Sequence, residues 1–365
     1  MFAERMKVLQ PSAIRRMFEM GQMMKNPIDL SLGRPNFDVP VEMKNAMKRA
    51  IDEGKNGYTV TAGAPEFLVA VRKYLARENV HPEGVMAIAG GSGGLILALL
   101  AMADESCEVL VTDPGFVSYN HFIRLAGSTP RYIDTYPDLK LTPERLRAAV
   151  TPKTRILIFN SPVNPTGVAY SPEEIKALAE ESRRLGLQVI SDEVYDEFCF
   201  DFPHECWLKH DSGAVLVRAL TKTYGVPGWR CGFAAGPKKI IDQMTMLQQF
   251  TFVCMNTPAQ YAAIEAFQLD RRAVIADFKR RRDYVYGELS RVFEVVKPQG
   301  AFYIFPKAPR GDSAAFLQKC IEHEILVVPG DAFSAKNTHF RVSYAVADDV
   351  LQRGVELLIR LARMS

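Results

Sequence analysis

The sequence predicts an α/β protein in two units: a large α/β/α unit built on a mostly parallel sheet, and a smaller α+β unit. Three observations predict it. From about residue 43 to 250, short apolar runs rich in β-branched residues alternate with helical stretches, the pattern of strands covered on both faces. After about residue 260 this alternation gives way to a long helical stretch and a few short strand-like pieces. The length of 365 residues, 48% hydrophobic and 24% charged, is ordinary for a globular chain and ample for more than one core.

Taken in order, the first 30 residues or so lack strand character, and they lack the continuous apolar segment of a signal peptide. EMKNAMKRAIDEG and PEFLVAVRKYLARE repeat apolar residues at helical spacing. VMAIA reads as a strand that enters a glycine-rich turn and then the helical LILALLAMA. CEVLVTD, RILIFN, QVISDE and VLVRAL read as buried strands. Between them, 172–186 reads as a helix with Ser171 as its N-cap, Pro172 at its first position and Gly186 as its stop. One long helical stretch, 259–290, leads into the second unit, where EVVK, FYIF, ILVV and FRVSY read as strands and 312–322 and 348–363 as helices. The expected division is 40–260 for the large domain, and 1–39 with 261–365 for the small domain and its N-terminal arm.

Composition narrows the function. A net charge of +3 leaves no electrostatic footprint for nucleic acid. No apolar run reaches the ~18 residues that span a membrane, so a cytoplasmic location is expected. Cys107, Cys199, Cys206, Cys231, Cys254 and Cys320 form no C-x-x-C pair and read as reduced thiols. His204 and His210 lack zinc-protease spacing and read as surface residues.

Gly90-Gly91-Ser92-Gly93-Gly94 satisfies G-x-S-x-G in a strand-to-helix context. It admits a serine hydrolase using Ser92, with His339 available as a base. It equally suits a phosphate, because free backbone N–H groups at a helix N-terminus attract anions. The dinucleotide fingerprint fails, since Ile96 stands where its third glycine belongs.

Four further segments fall near the C-terminal ends of the expected parallel strands, the edge where open α/β sheets bind ligands. They are Asn164-Pro165-Thr166-Gly167, Asp192-Glu193-Val194-Tyr195, Thr221-Lys222-Thr223-Tyr224-Gly225 and Gly228-Trp229-Arg230-Cys231-Gly232. Each has a plain structural reading: a turn, a helix cap, a solvated lysine. Together and in this order, flanked by Ser31-Leu32-Gly33-Arg34-Pro35-Asn36-Phe37 and Phe340-Arg341-Val342-Ser343-Tyr344, they resemble the pyridoxal 5′-phosphate (PLP) enzymes of fold type I. Within that fold they resemble the aspartate-aminotransferase-like members of the class I aminotransferase family, and the resemblance covers nearly the whole chain.

The resemblance implies a catalytic Lys222 that forms the Schiff base with the cofactor aldehyde and then shuttles a proton. It implies Asp192 on the pyridine nitrogen, Tyr195 and Asn164 on the ring's phenolic oxygen, and Phe116 stacked on the ring. The phosphate would be held by Gly91, Ser92, Gly93 and Arg230, with Tyr58 reaching it from the neighbouring subunit of a homodimer. Gly33, Asn164 and Arg341 would bind the substrate carboxylate.

Two departures stand out. Ala219 replaces the hydroxyl residue the family places three before the lysine, beside the phosphate. Arg34 and Asn36 replace the usual Glu and Asp around Pro35, and Arg34 is expected to make a structural salt bridge. The implied reaction moves an amino group from an L-amino acid to a 2-oxo acid, 2-oxoglutarate or pyruvate, through an internal aldimine and pyridoxamine phosphate. A PLP C–S β-lyase is the nearest alternative. The serine hydrolase is a distant one, and an idle PLP-fold binding protein is opposed by the intact Lys222.

Overall fold

In the computed structural model, residues 2, 6, 7, 9 and 13–364 are described; the rest of the first twelve, where the N-terminal arm is expected to begin, lie outside the described residues. The strands are β1 Ile28–Asp29, β2 Gly84–Ile88, β3 Glu108–Asp113, β4 Thr129–Asp134, β5 Thr154–Asn160 and β6 Gln188–Asp192, then β7 Val215–Ala219, β8 Gly232–Gly236, β9 Tyr303–Ile304, β10 Ile325–Leu326, β11 Val328–Pro329 and β12 Phe340–Ser343. The helices are α1 Ala13–Met23, α2 Val41–Asp52, α3 Pro65–Ala76, α4 Gly90–Met102, α5 Ser118–Leu125, α6 Pro143–Ala149 and α7 Pro172–Arg184. They continue with α8 Leu220–Thr223, α9 Lys238–Thr251, α10 Thr257–Ala266, α11 Arg272–Leu289, α12 Ser313–Glu322 and α13 Asp348–Arg363.

The main sheet has seven strands in the order β2-β8-β7-β6-β5-β3-β4. It is parallel except at β8, which runs antiparallel to both of its neighbours. Alternate residues of one strand enter opposite cores, as the two-residue repeat of a strand requires. Leu157 and Phe159 of β5 face α3, α7 and α10, with Phe67, Val71, Ile175 and Leu178. Ile156 and Ile158 face α4, α5 and α9, with Leu95, Leu99, Ile123 and Met244. The α4 sequence is apolar all round because it is buried nearly all round.

A third core gathers Leu30, Phe278, Val285, Leu289, Phe302, Ile304, Phe340, Leu351, Val355 and Leu358. It forms where β1 pairs with β10 and where β12 lies between β11 and β9.

Four local expectations change. The stretch 259–290 is two helices: α10 ends at Ala266 and α11 starts at Arg272, whose backbone N–H donates to Asp270 Oδ1 at 2.9 Å. EVVK runs outside any strand. The N-terminal stretch does contain a strand, β1, whose two residues pair in parallel with Ile325 and Leu326. Two main-sheet strands, β4 and β8, come from TPRYID and GFAAG, which carry little strand periodicity. Among the described residues no helix is long and apolar enough to cross a membrane.

Candidate active site

A cavity of about 290 Å³ opens at the carboxyl ends of the parallel strands. β5 ends in Asn160, which faces Asp192 at the end of β6. Asn160 Nδ2 donates to the Asp192 carbonyl (2.8 Å), and its Oδ1 accepts the Asn164 N–H (3.1 Å), so the end of β5 fixes the loop that carries Asn164. β7 runs into the single turn α8, which places Lys222 in the cavity with its Nζ donating to the Gly33 carbonyl at 2.6 Å.

From the opposite wall, β12 brings in Arg341, 1% exposed. Its Nη1 donates to Asn164 Oδ1 (2.9 Å) and its Nη2 to the Ser31 carbonyl (2.6 Å). At the mouth, Arg230 takes a left-handed backbone (φ 53°) and lies beside the start of α4, donating to the Ala89 carbonyl at 3.0 Å. Gly90 has φ +70°, and a Cβ there would lie 2.6 Å from Arg230 Nη2, so only glycine lets the guanidinium approach this closely.

The charges lining the cavity are unbalanced: Lys222, Arg230 and Arg341 against Asp192. Burial lowers the Lys222 amine to about 8, helped by Arg341 and Arg230 and opposed by Asp192. Burial raises the Asp192 acid to about 6, against the pull of the Tyr119 hydroxyl and the Val194 N–H. Tyr119 Oη donates to Asp192 Oδ2 at 2.6 Å. Asp192 Oδ1 and Arg341 Nε are buried without a hydrogen-bond partner. A buried carboxylate oxygen and a buried guanidinium N–H in that state call for a ligand that supplies a donor to one and an acceptor to the other.

Residues 25–358 match the family model for aminotransferase class I and II. The chain belongs to this family. It is 35% identical over 372 residues to a probable aspartate aminotransferase of Methanocaldococcus jannaschii, covering 98% of this chain and 99% of that one. It is 37% identical over 357 residues to an aspartate/prephenate aminotransferase of Cereibacter sphaeroides, covering 90% and 89%. Among solved structures it superposes on an aspartate aminotransferase from Thermus thermophilus with maleate, at a TM-score of 0.94 and 31% identity over 99% of both chains.

As a member of this family the chain is a PLP-dependent aminotransferase with the fold type I architecture. Its cavity fits the cofactor: the orphaned Asp192 Oδ1 suits a pyridinium N–H, and the cation surplus suits a phosphate and a carboxylate.

Of the residues expected at the site, Gly33, Gly91, Ser92, Phe116, Asn164, Asp192, Tyr195, Lys222, Arg230 and Arg341 line this cavity. Gly93 does not; it is buried against Ala89 one turn into α4. Tyr58 does not either, and is 85% exposed. Ala219 is not among the residues lining the cavity, yet a Cβ on Gly91 would lie 4.0 Å from the Ala219 Cβ, so residue 219 sits beside the start of α4 and offers no hydroxyl there. Arg34 is exposed, and the expected salt bridge is not found among the described residues. Asn36 Oδ1 accepts from Arg281 Nη1 at 3.0 Å.

The hydrolase alternative fails geometrically. No histidine lines the cavity; His339 bonds Thr338 Oγ1 at 2.8 Å and stacks on Phe305. His204 is not a surface residue. It lies 2.8 Å from Glu193 Oε2 with its side chain 10% exposed, and Glu193 lifts its pKa to about 10 although burial opposes the charge.

Two tyrosines in the cavity wall escaped the sequence reading. Tyr119 had a signal: it lies three residues after Phe116, across the turn that leads into α5, and the rings meet edge-on at 5.4 Å. Tyr303 had none, because it joins the site only through the pairing of Ser343 with Tyr303 that puts it on Arg341's face of the small sheet.

Proposed function

We propose that Lys222 is the amine that binds the cofactor and afterwards moves the proton at the substrate's Cα. The reading rests on one observation: Lys222 Nζ, an unpaired Asp192 oxygen and a partly unpaired Arg341 share one buried cavity. Bound PLP supplies an aldehyde for the amine and a protonated ring that withdraws electrons from Cα. Asp192 Oδ1 holds the proton on the ring nitrogen. Tyr195 and the Asn164 amide donate to the ring oxygen, and Phe116 packs on the ring face. Gly91, Ser92 and Arg230 hold the phosphate at the start of α4. Arg341 binds the α-carboxylate through its guanidinium fork, beside Gly33.

The same reading takes the protein as a homodimer in which Tyr58 reaches the partner's phosphate, and as a cytoplasmic enzyme of two domains, 40–260 and 1–39 with 261–365. Separate hydrophobic cores on the main sheet and around β9, β10 and β12 support the division. The relatives' names make aspartate the first amino donor to test.

The experiment is a donor screen with 2-oxoglutarate and pyruvate as acceptors, with ammonia and pyruvate release as the lyase control. Transfer to a 2-oxo acid with no ammonia release is expected. Ammonia release from a sulfur-containing amino acid as the main product would replace transamination by the lyase reaction. Borohydride should fix the cofactor onto Lys222, and Lys222→Ala should lower turnover by at least about 10³-fold.

A further inference from the structure

Tyr303 belongs to none of the motifs, yet its hydroxyl meets that of Tyr195 at 2.9 Å inside the cavity wall. Tyr195 is 3% exposed and Tyr303 0%. Burial raises the pKa of both phenols, so both stay neutral at physiological pH and each keeps its proton. Two hydroxyls then carry two protons. One fills the shared bond, and the other leaves the pair from the accepting oxygen.

The surroundings decide which oxygen that is. Tyr303 Oη is pressed against the backbone of Gly33, where a Cβ would lie 2.7 Å from it. Among the described residues Tyr195 is the sole hydrogen-bond partner of Tyr303 Oη. The Arg341 guanidinium lies 4.4 Å from the Tyr303 ring centroid, which holds that ring in place and draws charge toward it.

We propose that Tyr303 is a positioning residue that donates to Tyr195 Oη and so aims the remaining proton, on Tyr195, at the ring oxygen of the cofactor. This rests on the role given to Tyr195 above. A hydroxyl that accepts a hydrogen bond becomes a better donor, by roughly 10–30% per bond. A stronger donor at the ring oxygen stabilises negative charge there. It therefore favours the form in which the nitrogen joined to Lys222 has lost its proton.

The test is a pH titration of the visible absorbance of the cofactor-loaded protein without substrate. Tyr303→Phe keeps the ring and its packing under Arg341 and removes one oxygen. Its titration midpoint should rise by about 0.3–0.7 pH unit. Tyr195→Phe should raise the midpoint further, and adding Tyr303→Phe to it should change nothing more.

An unmoved or lowered midpoint in Tyr303→Phe overturns the proposal, whether or not KM for the amino acid rises. Shifts that add in the double variant also overturn it, because Tyr303 would then act without Tyr195. An unmoved midpoint in Tyr195→Phe would instead overturn the underlying role of Tyr195.

Discussion

Lys222 combines a cation's position with a poor environment for a cation. Burial, with Arg341 and Arg230 nearby, holds its amine at about 8 instead of 10.5, despite the Asp192 carboxylate. The neutral amine is the form that attacks an aldehyde. Uptake of PLP by the cofactor-free protein should therefore accelerate about tenfold per pH unit up to about pH 8 and level off above it. Stopped-flow absorbance measures this, and a rate still climbing at pH 9.5 would place the amine in an ordinary environment. Tyr119 acts on the opposite charge. Its hydroxyl donates to the Asp192 carboxylate at 2.6 Å, which stabilises the ionised form against burial. Tyr119→Phe should raise the Asp192 pKa in the cofactor-free protein above about 6. A charge-assisted bond of roughly 1.5–3 kcal/mol predicts a rise of about 1–2 units. Carboxyl-carbon NMR reads the titration directly, and an unchanged midpoint would mean the bond carries little. These residues also show where a sequence can be read. Lys222, Asp192 and Arg341 are legible because the chemistry admits one residue type at each place. A tyrosine that tunes a carboxylate or another tyrosine has no such signature.

At the scale of elements, the start of α4 and the start of α7 make a contrast. Gly90 holds a left-handed backbone directly beneath Arg230. Gly90→Ala should cost about 1–2 kcal/mol of stability for that backbone and push the guanidinium off the helix start. PLP affinity should then fall by roughly tenfold or more, read as a cofactor titration beside a thermal melt; intact affinity would remove Arg230 from the phosphate. Ser171 caps α7 in a capping box with Glu174, among side chains that do not line the cavity. Ser171→Ala should cost about 1 kcal/mol of stability and leave kcat and KM unchanged. The helix α7 was legible from its caps and its apolar stripe. The break between α10 and α11 was not, because it falls inside an otherwise helical pattern with no Gly or Pro to mark it. Nor was β8, whose small residues fit between β2 and β7 without the β-branched bulk that marks a strand.

At the scale of the molecule, the proposed homodimer would bring a second copy's Tyr58 to the site. Tyr58 lies outside the chain's own cavity and is 85% exposed, and Phe250, on α9, is 81% exposed. Val60, Met246, Phe252 and Val253 are exposed on the same two segments. Those segments are tied together, since Gln248 Nε2 donates to the Thr61 carbonyl at 2.7 Å and to the Ala87 carbonyl at 3.0 Å. Apolar side chains exposed on segments tied together in this way suit an interaction surface. A homodimer closed across this face would bury it and carry each Tyr58 toward its neighbour's phosphate. Two variants separate burial from chemistry. Phe250→Asp places a charge in the patch and should give monomers at micromolar concentration in sedimentation, with weakened PLP binding as a consequence. Tyr58→Phe should leave the dimer intact and weaken PLP by roughly tenfold to a hundredfold, the loss of one charge-assisted hydrogen bond. A dimeric Phe250→Asp would move the interface elsewhere. A Tyr58→Phe dimer with full affinity would keep the interface and take Tyr58 out of the site, leaving Arg230, Ser92 and the N–H groups of α4 to hold the phosphate within one chain.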